Sequence, residues 1–181
     1  MASNANFISQ FVMGGDPCTY KESGELQAEM SKLTHPARPD VDWRQVEKLC
    51  LALFRQNGVE LQTLVCYVLA ITRRQGLAGM ADGLGSLDIL LQRWADFWPV
   101  QVHSRISLLG WVTEKMQQAL RTLDIQYQDL PQIYRCVQHL SAIETTLQQC
   151  ELWHMTKLDL LAGQFRNTAL RLERLAPQGA E

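Results

Sequence analysis

Apolar side chains recur every three or four residues along most of the chain, which is the spacing of one face of an α-helix. This pattern predicts helices over residues 23–32, 43–56, 60–74, 77–98, 104–123 and 129–152, and a last helix after Thr156. No segment alternates apolar and polar residues for long enough to predict a strand. We therefore expect an all-α fold, in which about six to seven antiparallel helices pack as one domain over residues 23–176. An irregular segment, 1–22, should precede this domain and a tail, 177–181, should follow it.

The residues at the ends of these segments agree with the pattern. Asp42 is a good N-cap for the helix that begins at Trp43, since an aspartate there accepts a hydrogen bond from a free backbone N–H group. Gly76 should end one helix, and Pro99 should stop the next. Between them, Gly79 and Gly83 lie on one helix face. They predict the close approach of a neighbouring helix, at a cost in helix propensity of about 1 kcal/mol for each glycine relative to alanine.

Composition narrows the class of protein. The 181 residues are 46% hydrophobic and 20% charged, which is enough apolar surface for one core without disulfides or metal. The formal charge of -2 disfavours binding to nucleic acid. Five cysteines without a C-x-x-C pair favour reduced thiols, and the first ten residues do not resemble a signal peptide. No apolar run is long enough to span a membrane, so we expect a soluble, cytoplasmic chain.

Candidate chemistry is sparse. Cys136, His139, Cys150 and His154 imitate the ligand spacing of a zinc module, which leaves a metal-binding helical domain as an alternative. If residues 129–152 form one helix, however, Cys136 and Cys150 are about 21 Å apart along its axis, too far to share one ion. The glycines after residue 75 lack a phosphate-loop motif, and no serine has a recognisable catalytic partner. We therefore expect no catalytic residues, no metal and no cofactor, and a protein that is not an enzyme.

Tryptophans and one arginine stand out around Pro99. We expect Trp43, Trp94 and Trp111 to be largely buried, so that truncating one to alanine costs about 3 to 5 kcal/mol. The alternative for Trp94, Trp98 and Trp111 is an exposed aromatic site. Arg105 lies in the first turn of a predicted helix, where a cation opposes the helix dipole, so another interaction should offset this cost. Asp82 and Asp96 are the predicted partners.

These motifs together resemble the ImpA-type N-terminal domain of TssA-like proteins of bacterial type VI secretion systems. The resemblance runs from about residue 15 to residue 123, and its most specific part is GLAGMADGLGSLDILLQRWADFWP over residues 76–99. The family-motif residues are Asp42, Trp43, Gly76, Leu77, Gly79, Trp94, Trp98, Pro99, Arg105 and Trp111. The segments LCLALFRQNGVELQTLVCYVLAITRRQGLAG and DLPQIYRCVQHL are more similar to the VasL or TagA-like branch than to the core TssA subunit, and extend the resemblance to about residue 153.

The resemblance implies a non-enzymatic, cytoplasmic role in which the domain contacts the tail sheath, the baseplate or the membrane complex. A TagA-like member would halt sheath growth and hold the sheath end, whereas a core TssA-like subunit would cap the assembling tail. Family members carry further segments, so we expect these residues to be one domain of a longer protein that forms homo-oligomers and is attached to the inner membrane through a segment outside them. The binding surface cannot be read from the sequence, although the polar sides of the helices are the expected place.

Overall fold

The computed structural model describes residues 4–176, and the side chains of residues 7–176. In this part of the chain six α-helices are joined by short loops and three 3-10 helices. The α-helices are α1 (Lys21–Ser31), α2 (Trp43–Gln56), α3 (Leu61–Leu91), α4 (Val102–Thr122), α5 (Leu130–Gln149) and α6 (Leu158–Arg174). The 3-10 helices are Asn4–Gln10, Tyr127–Asp129 and Trp153–Met155.

Helix α3 is bent back on itself at Gly76, so it forms two arms, 61–75 and 77–91. Gly76 has φ 61° and ψ -133°, a conformation that side chains other than glycine rarely adopt. Gly79 then lies against Ile71 and Gly83 against Val68. Residue 79 thus contacts residue 71, and residue 83, farther along the chain, contacts the earlier residue 68. This order of contacts on the two sides of Gly76 is that of an antiparallel helical hairpin. With these two arms counted, seven helical rods are present among the described residues, and the predicted all-α fold of six to seven helices is confirmed.

The core surrounds α3, which contacts α2, α4, α5 and the first 3-10 helix. Helix α1 packs on α2, and α6 packs on α5 and α4. The largest fully buried side chains are mostly on α2 and α3, and include Phe54, Leu61, Leu64, Met80, Leu84, Leu87, Leu90 and Leu91. Both arms of α3 are buried over much of their circumference, which is why the helices around them can each present a single apolar face.

The segment before α1 is more ordered than its sequence pattern indicates. Ile8 in the first 3-10 helix is buried in the core, and Phe7 packs against Tyr67 of α3 with 5.4 Å between ring centroids. The amide of Val59 donates to the Val12 carbonyl, and the amide of Gly14 donates to the Val59 carbonyl, each over 2.8 Å. The tail, 177–181, lies outside the described residues.

The predicted helix ends on either side of Pro99 are wrong, and the helix predicted over 129–152 ends at Gln149. The helix expected to reach Trp98 ends at Leu91, and residues 92–96 form turns instead. The helix expected to begin after Ser104 begins at Val102, and Gln101 rather than Ser104 is its N-cap. Asp42 does cap α2 as predicted, since its Oδ1 accepts from the Gln45 amide over 3.1 Å. None of the helices within residues 4–176 is both long enough and apolar enough to cross a membrane.

Candidate interaction site

The glycine-rich part of the resemblance forms the hairpin of α3. A Cβ atom added to Gly79 would lie 1.9 Å from the carbonyl oxygen of Ile71, and one added to Gly83 would lie 2.7 Å from Cγ1 of Val68. Neither distance leaves room for a methyl group. These two glycines are therefore required for the close packing of the two arms, as their spacing on one helix face predicts.

Arg105 lies beneath the turn that follows the hairpin. Its side chain donates to the carbonyls of Pro99, Trp94 and Phe97 over 2.6, 2.6 and 2.5 Å. The guanidinium also lies over the ring of Phe97, 3.8 Å from its centroid, and over the ring of Trp94 at 4.6 Å. The residue is only 3% exposed. A planar group with several donors is suited to binding several carbonyls in this way.

The predicted pairing of Arg105 with Asp82 or Asp96 is wrong. Asp82 pairs with Arg135 of α5 over 2.6 Å, and Asp96 lies 3.4 Å from Arg93 in its own turn. Among the ion pairs of residues 7–176, none includes Arg105. The turn brings three backbone carbonyls to the guanidinium, and burial lowers the pKa of Arg105 from its ordinary value without making the group neutral at physiological pH.

The Trp98 carbonyl, the fourth in this turn, accepts from the amide of Leu61 at the start of α3 over 2.9 Å. Residues 94–99 thus connect the beginning of α3, its end and the beginning of α4. Pro99 is buried within this turn, and Leu77 is half-buried just after the bend of the hairpin. The most specific motif of the sequence is therefore a junction between helices.

The tryptophans of the motif are largely but not completely buried. Trp43, Trp94, Trp98 and Trp111 are all half-buried, although Trp43, Trp94 and Trp111 do pack against the core. Trp43 also lies beneath Arg73, whose guanidinium carbon is 5.6 Å from the ring centroid. The buried tryptophan is Trp153, which is 4% exposed in the last 3-10 helix and which the sequence pattern does not single out.

This difference in burial changes the expected effect of truncating a tryptophan. We expect Trp153→Ala to lower the free energy of unfolding by about 3 to 5 kcal/mol, because it leaves a cavity in the core. We expect Trp43→Ala to cost less, about 1 to 2 kcal/mol, since its ring is not fully enclosed by the core and part of it already contacts water. Urea denaturation of the two variants measures both values. Equal losses would contradict the assignment of Trp43 to the partly exposed surface.

The four residues of the zinc alternative are not gathered at one place. Cys136 is buried on α5, where burial raises the pKa of its thiol to about 12. His154 is exposed and its Nδ1 lies 3.0 Å from Asp159. His139 is half-buried, and burial lowers its pKa from the ordinary value. Over residues 4–176, no three His, Cys, Asp or Glu residues lie close enough together to hold a metal ion.

Glu60 is a buried acid that the sequence analysis does not identify. Its side chain is inaccessible to water and caps the N-terminus of α3, accepting from the amides of Thr63 and Gln62 over 2.5 and 3.0 Å. Burial raises the pKa of Glu60 from 4.5 to about 7, against the opposing effect of these hydrogen bonds. Glutamate is a weaker capping signal than Ser, Thr, Asp or Asn, so the sequence carried little indication of this role.

Glu60 should make stability depend on pH. Its pKa is raised in the folded protein, so between about pH 4.5 and pH 7 the folded protein binds more protons than the unfolded chain. The contribution of the protonated Glu60 is present below that interval and is lost as the pH rises through it. We expect wild type to lose on the order of 1 to 3 kcal/mol relative to Glu60→Gln across this interval. Urea denaturation of both proteins over the interval tests this, and a constant difference would contradict it.

A groove separates α1 from α4 above the first arm of α3, and we call it the α1–α4 groove. Its apolar section, of about 450 Å³, is lined mainly by Met30, Leu33, Val65, Cys66, Leu108 and Trp111. Its charged section, of about 620 Å³, is lined by Lys32, Arg38, Asp40, Trp43, Arg73 and Lys115 among others. Leu33 and Lys115 line both sections, so the two sections are adjacent.

Comparison with known proteins gives one match. Residues 8–114 match the family model of the N-terminal region of ImpA, of the type VI secretion system. This match covers well over half of the chain, from the first 3-10 helix to the middle of α4, and includes the hairpin and the turn that binds Arg105. No curated protein and no solved structure matches the chain.

Proposed function

Since this chain belongs to the ImpA N-terminal family of the type VI secretion system, we propose that it is a non-enzymatic docking domain of that system. The observation that supports this proposal is the position of Arg105. It is buried, and its guanidinium is used to hold three carbonyls of the turn after α3. Arg105 of the family motif therefore stabilises the packing of the helices and does not face a partner. We infer that partners bind elsewhere on the surface of the domain.

The partners that we propose are the proteins of the contractile tail, the sheath first, with the baseplate and the membrane complex as the other candidates. A sheath presents many copies of one subunit. A weak contact by one domain is multiplied when several domains are held together, as they would be if the complete protein forms homo-oligomers in the cytoplasm. The proposed role is thus to bias tail assembly through many modest contacts.

Binding measurements test this role directly. Immobilised chain is exposed to purified free sheath subunits, assembled sheath, baseplate proteins and membrane-complex proteins, with an unrelated helical protein of similar charge as the control. We expect selective binding to one of these components, and a much higher apparent affinity for assembled sheath than for its free subunits. Binding to none of them would overturn the proposed docking role. Equal, tight binding to free subunits would overturn the avidity argument.

A TagA-like role makes a separate prediction in cells. A protein that stops sheath growth and holds the sheath end should limit sheath length. We expect deletion of the gene to give longer or bent sheaths, visible by fluorescence microscopy of a labelled sheath subunit, and restoration of the complete gene to return the length to normal. Failure to assemble any sheath in the deletion strain would instead indicate a core TssA-like role.

A further inference from the structure

We propose that the α1–α4 groove binds an amphipathic helix of a partner protein, with apolar side chains along one face and acidic residues at one end. This inference rests on the proposed docking role and adds the surface and the chemistry of what it binds. It is argued from the shape of the groove, from the difference between its apolar and charged sections, and from the basic side chains that line the charged section.

The shape of the groove suits a helix. Its walls are α1 with the loop after it on one side and α4 on the other, and the first arm of α3 contributes Val65 and Cys66 to its apolar section. Along α4 the groove runs from Ser107 to Gln118, which is about 17 Å or three helical turns. A helix laid into such a groove packs its apolar face against three helices, which is a common mode of peptide recognition.

The apolar section provides the anchoring contacts. Leu108 and Trp111 of α4 are three residues apart and face Met30 and Leu33 across the groove. All four are half-buried, so part of each side chain is still in contact with water. Burying this remaining apolar surface under a partner is favourable, and aromatic anchors such as Trp111 are frequent at the centre of interfaces.

The basic side chains of the charged section favour acidic residues at one end of the partner helix. Lys32, Arg38, Arg73 and Lys115 line it together with one acid, Asp40, although the chain as a whole carries a charge of -2. Lys32 is paired with Glu29 over 2.8 Å. Arg38, Arg73 and Lys115 take part in none of the ion pairs found among residues 7–176. Their charges favour carboxylates in the partner, and this complementarity fixes the direction in which the partner lies.

A protein partner fits this surface better than a membrane. The apolar side chains line the walls and floor of a groove between helices, whereas a lipid surface requires them to project outward. Three of the four basic residues, Lys32, Arg38 and Arg73, line only the charged section, and Lys115 lies where the two sections meet. This arrangement favours a ligand whose apolar and acidic parts are separated along its length. Vesicles are therefore included in the test as the competing ligand.

The experiment selects ligands without assuming which secretion protein is the partner. A phage-displayed library of random 16-residue peptides is selected on the whole chain and counter-selected on Leu108→Asp and Lys115→Glu. The enriched peptides are synthesised, and their binding is measured by fluorescence anisotropy. Matched control variants are Lys48→Glu, which makes the same charge reversal on exposed α2 surface, and Leu160→Asp on α6, where the leucine is 57% exposed. Circular dichroism and thermal melting confirm that each variant is folded.

We expect the enriched peptides to carry apolar residues at helical spacing with Asp or Glu at one end. They should bind about tenfold more weakly to either groove variant and equally well to wild type and both controls. Enrichment without acidic residues, equal binding to the groove variants, or no enrichment would overturn the proposal. So would binding to phosphatidylserine vesicles that Lys115→Glu abolishes, if no peptide binds. Because the library contains no secretion protein, these outcomes leave the docking role to be decided by the binding measurements above.

Discussion

Replacing Arg105 with alanine is expected to lower the free energy of unfolding by about 3 to 5 kcal/mol. The guanidinium donates to three backbone carbonyls in a site that is 3% exposed, and each hydrogen bond from a charged donor contributes more than a neutral one. Its loss would leave the Trp94 and Phe97 carbonyls without their donor. Urea denaturation measures the loss, and an unchanged slope would show that the unfolded state is not altered.

Two further variants separate this role from a general effect of removing charge. Arg121→Ala makes the same change at an exposed position of α4 and should cost less than about 0.5 kcal/mol. Arg105→Lys keeps the charge but lacks the planar fork, so it should recover only part of the loss. If Arg105→Ala were as stable as wild type but no longer bound secretion proteins, Arg105 would belong to an interface and the structural role would be wrong.

Gly79→Ala is expected to destabilise the protein by at least about 3 kcal/mol, or to prevent folding. The added Cβ would lie 1.9 Å from the Ile71 carbonyl oxygen, and a backbone atom cannot move away as the end of a flexible side chain can. The two arms of α3 would have to separate, which would disturb the core on both sides. Circular dichroism and urea denaturation of the purified variant measure this effect.

The chain offers matched controls for this substitution. Gly110 in α4 and Gly163 in α6 are helical glycines at which an added Cβ would meet nothing within 4 Å apart from the neighbouring backbone of its own helix. Alanine there should be neutral or stabilise the protein by up to about 1 kcal/mol, because alanine has the higher helix propensity. A Gly79→Ala variant within about 1 kcal/mol of wild type would contradict the close packing of the hairpin.

Much of the fold could be predicted from periodicity and from helix-end signals. The apolar spacing predicted the helices, and Asp42 and Gly76 were predicted at the ends where they lie. The pairing of Gly79 with a neighbouring helix was also predictable, since small residues on one helix face have few other uses. These signals are local, and local signals survive folding when the surrounding contacts agree with them.

The features that the sequence did not predict depend on contacts between distant segments. Nothing near residue 91 in the sequence ends α3. The turn that follows the helix is instead held by Arg105 and Leu61, which donate to its carbonyls. Periodicity describes which face is buried and not where carbonyls point. The carboxylate partner expected for Arg105 followed from the charge of the arginine at a helix start, whereas the structure brings backbone oxygens to it.

The candidate site was unpredictable for a related reason. The α1–α4 groove joins residues 27–43 to residues 107–118 across the first arm of α3. Lys115 and Arg73 are 42 positions apart, and only the packed helices bring them to one section of the groove. No short motif records such an arrangement. The sequence favoured the polar helix sides as the docking face, whereas the groove adds half-buried apolar residues to them.

The hairpin of α3 has a consequence for the order in which the chain folds. Ile71 and Gly79 are eight residues apart, and Val68 and Gly83 are fifteen apart, so the chain loop that must close between them is short and its entropy cost is small. Met13 and Val59, which form the bridge to the N-terminal segment, are separated by 46 residues. We expect the hairpin to form early as a nucleus onto which α2, α4 and α5 condense, with the N-terminal segment docking last. During synthesis the N-terminal segment would then stay undocked until the hairpin, residues 61–91, had left the ribosome and formed.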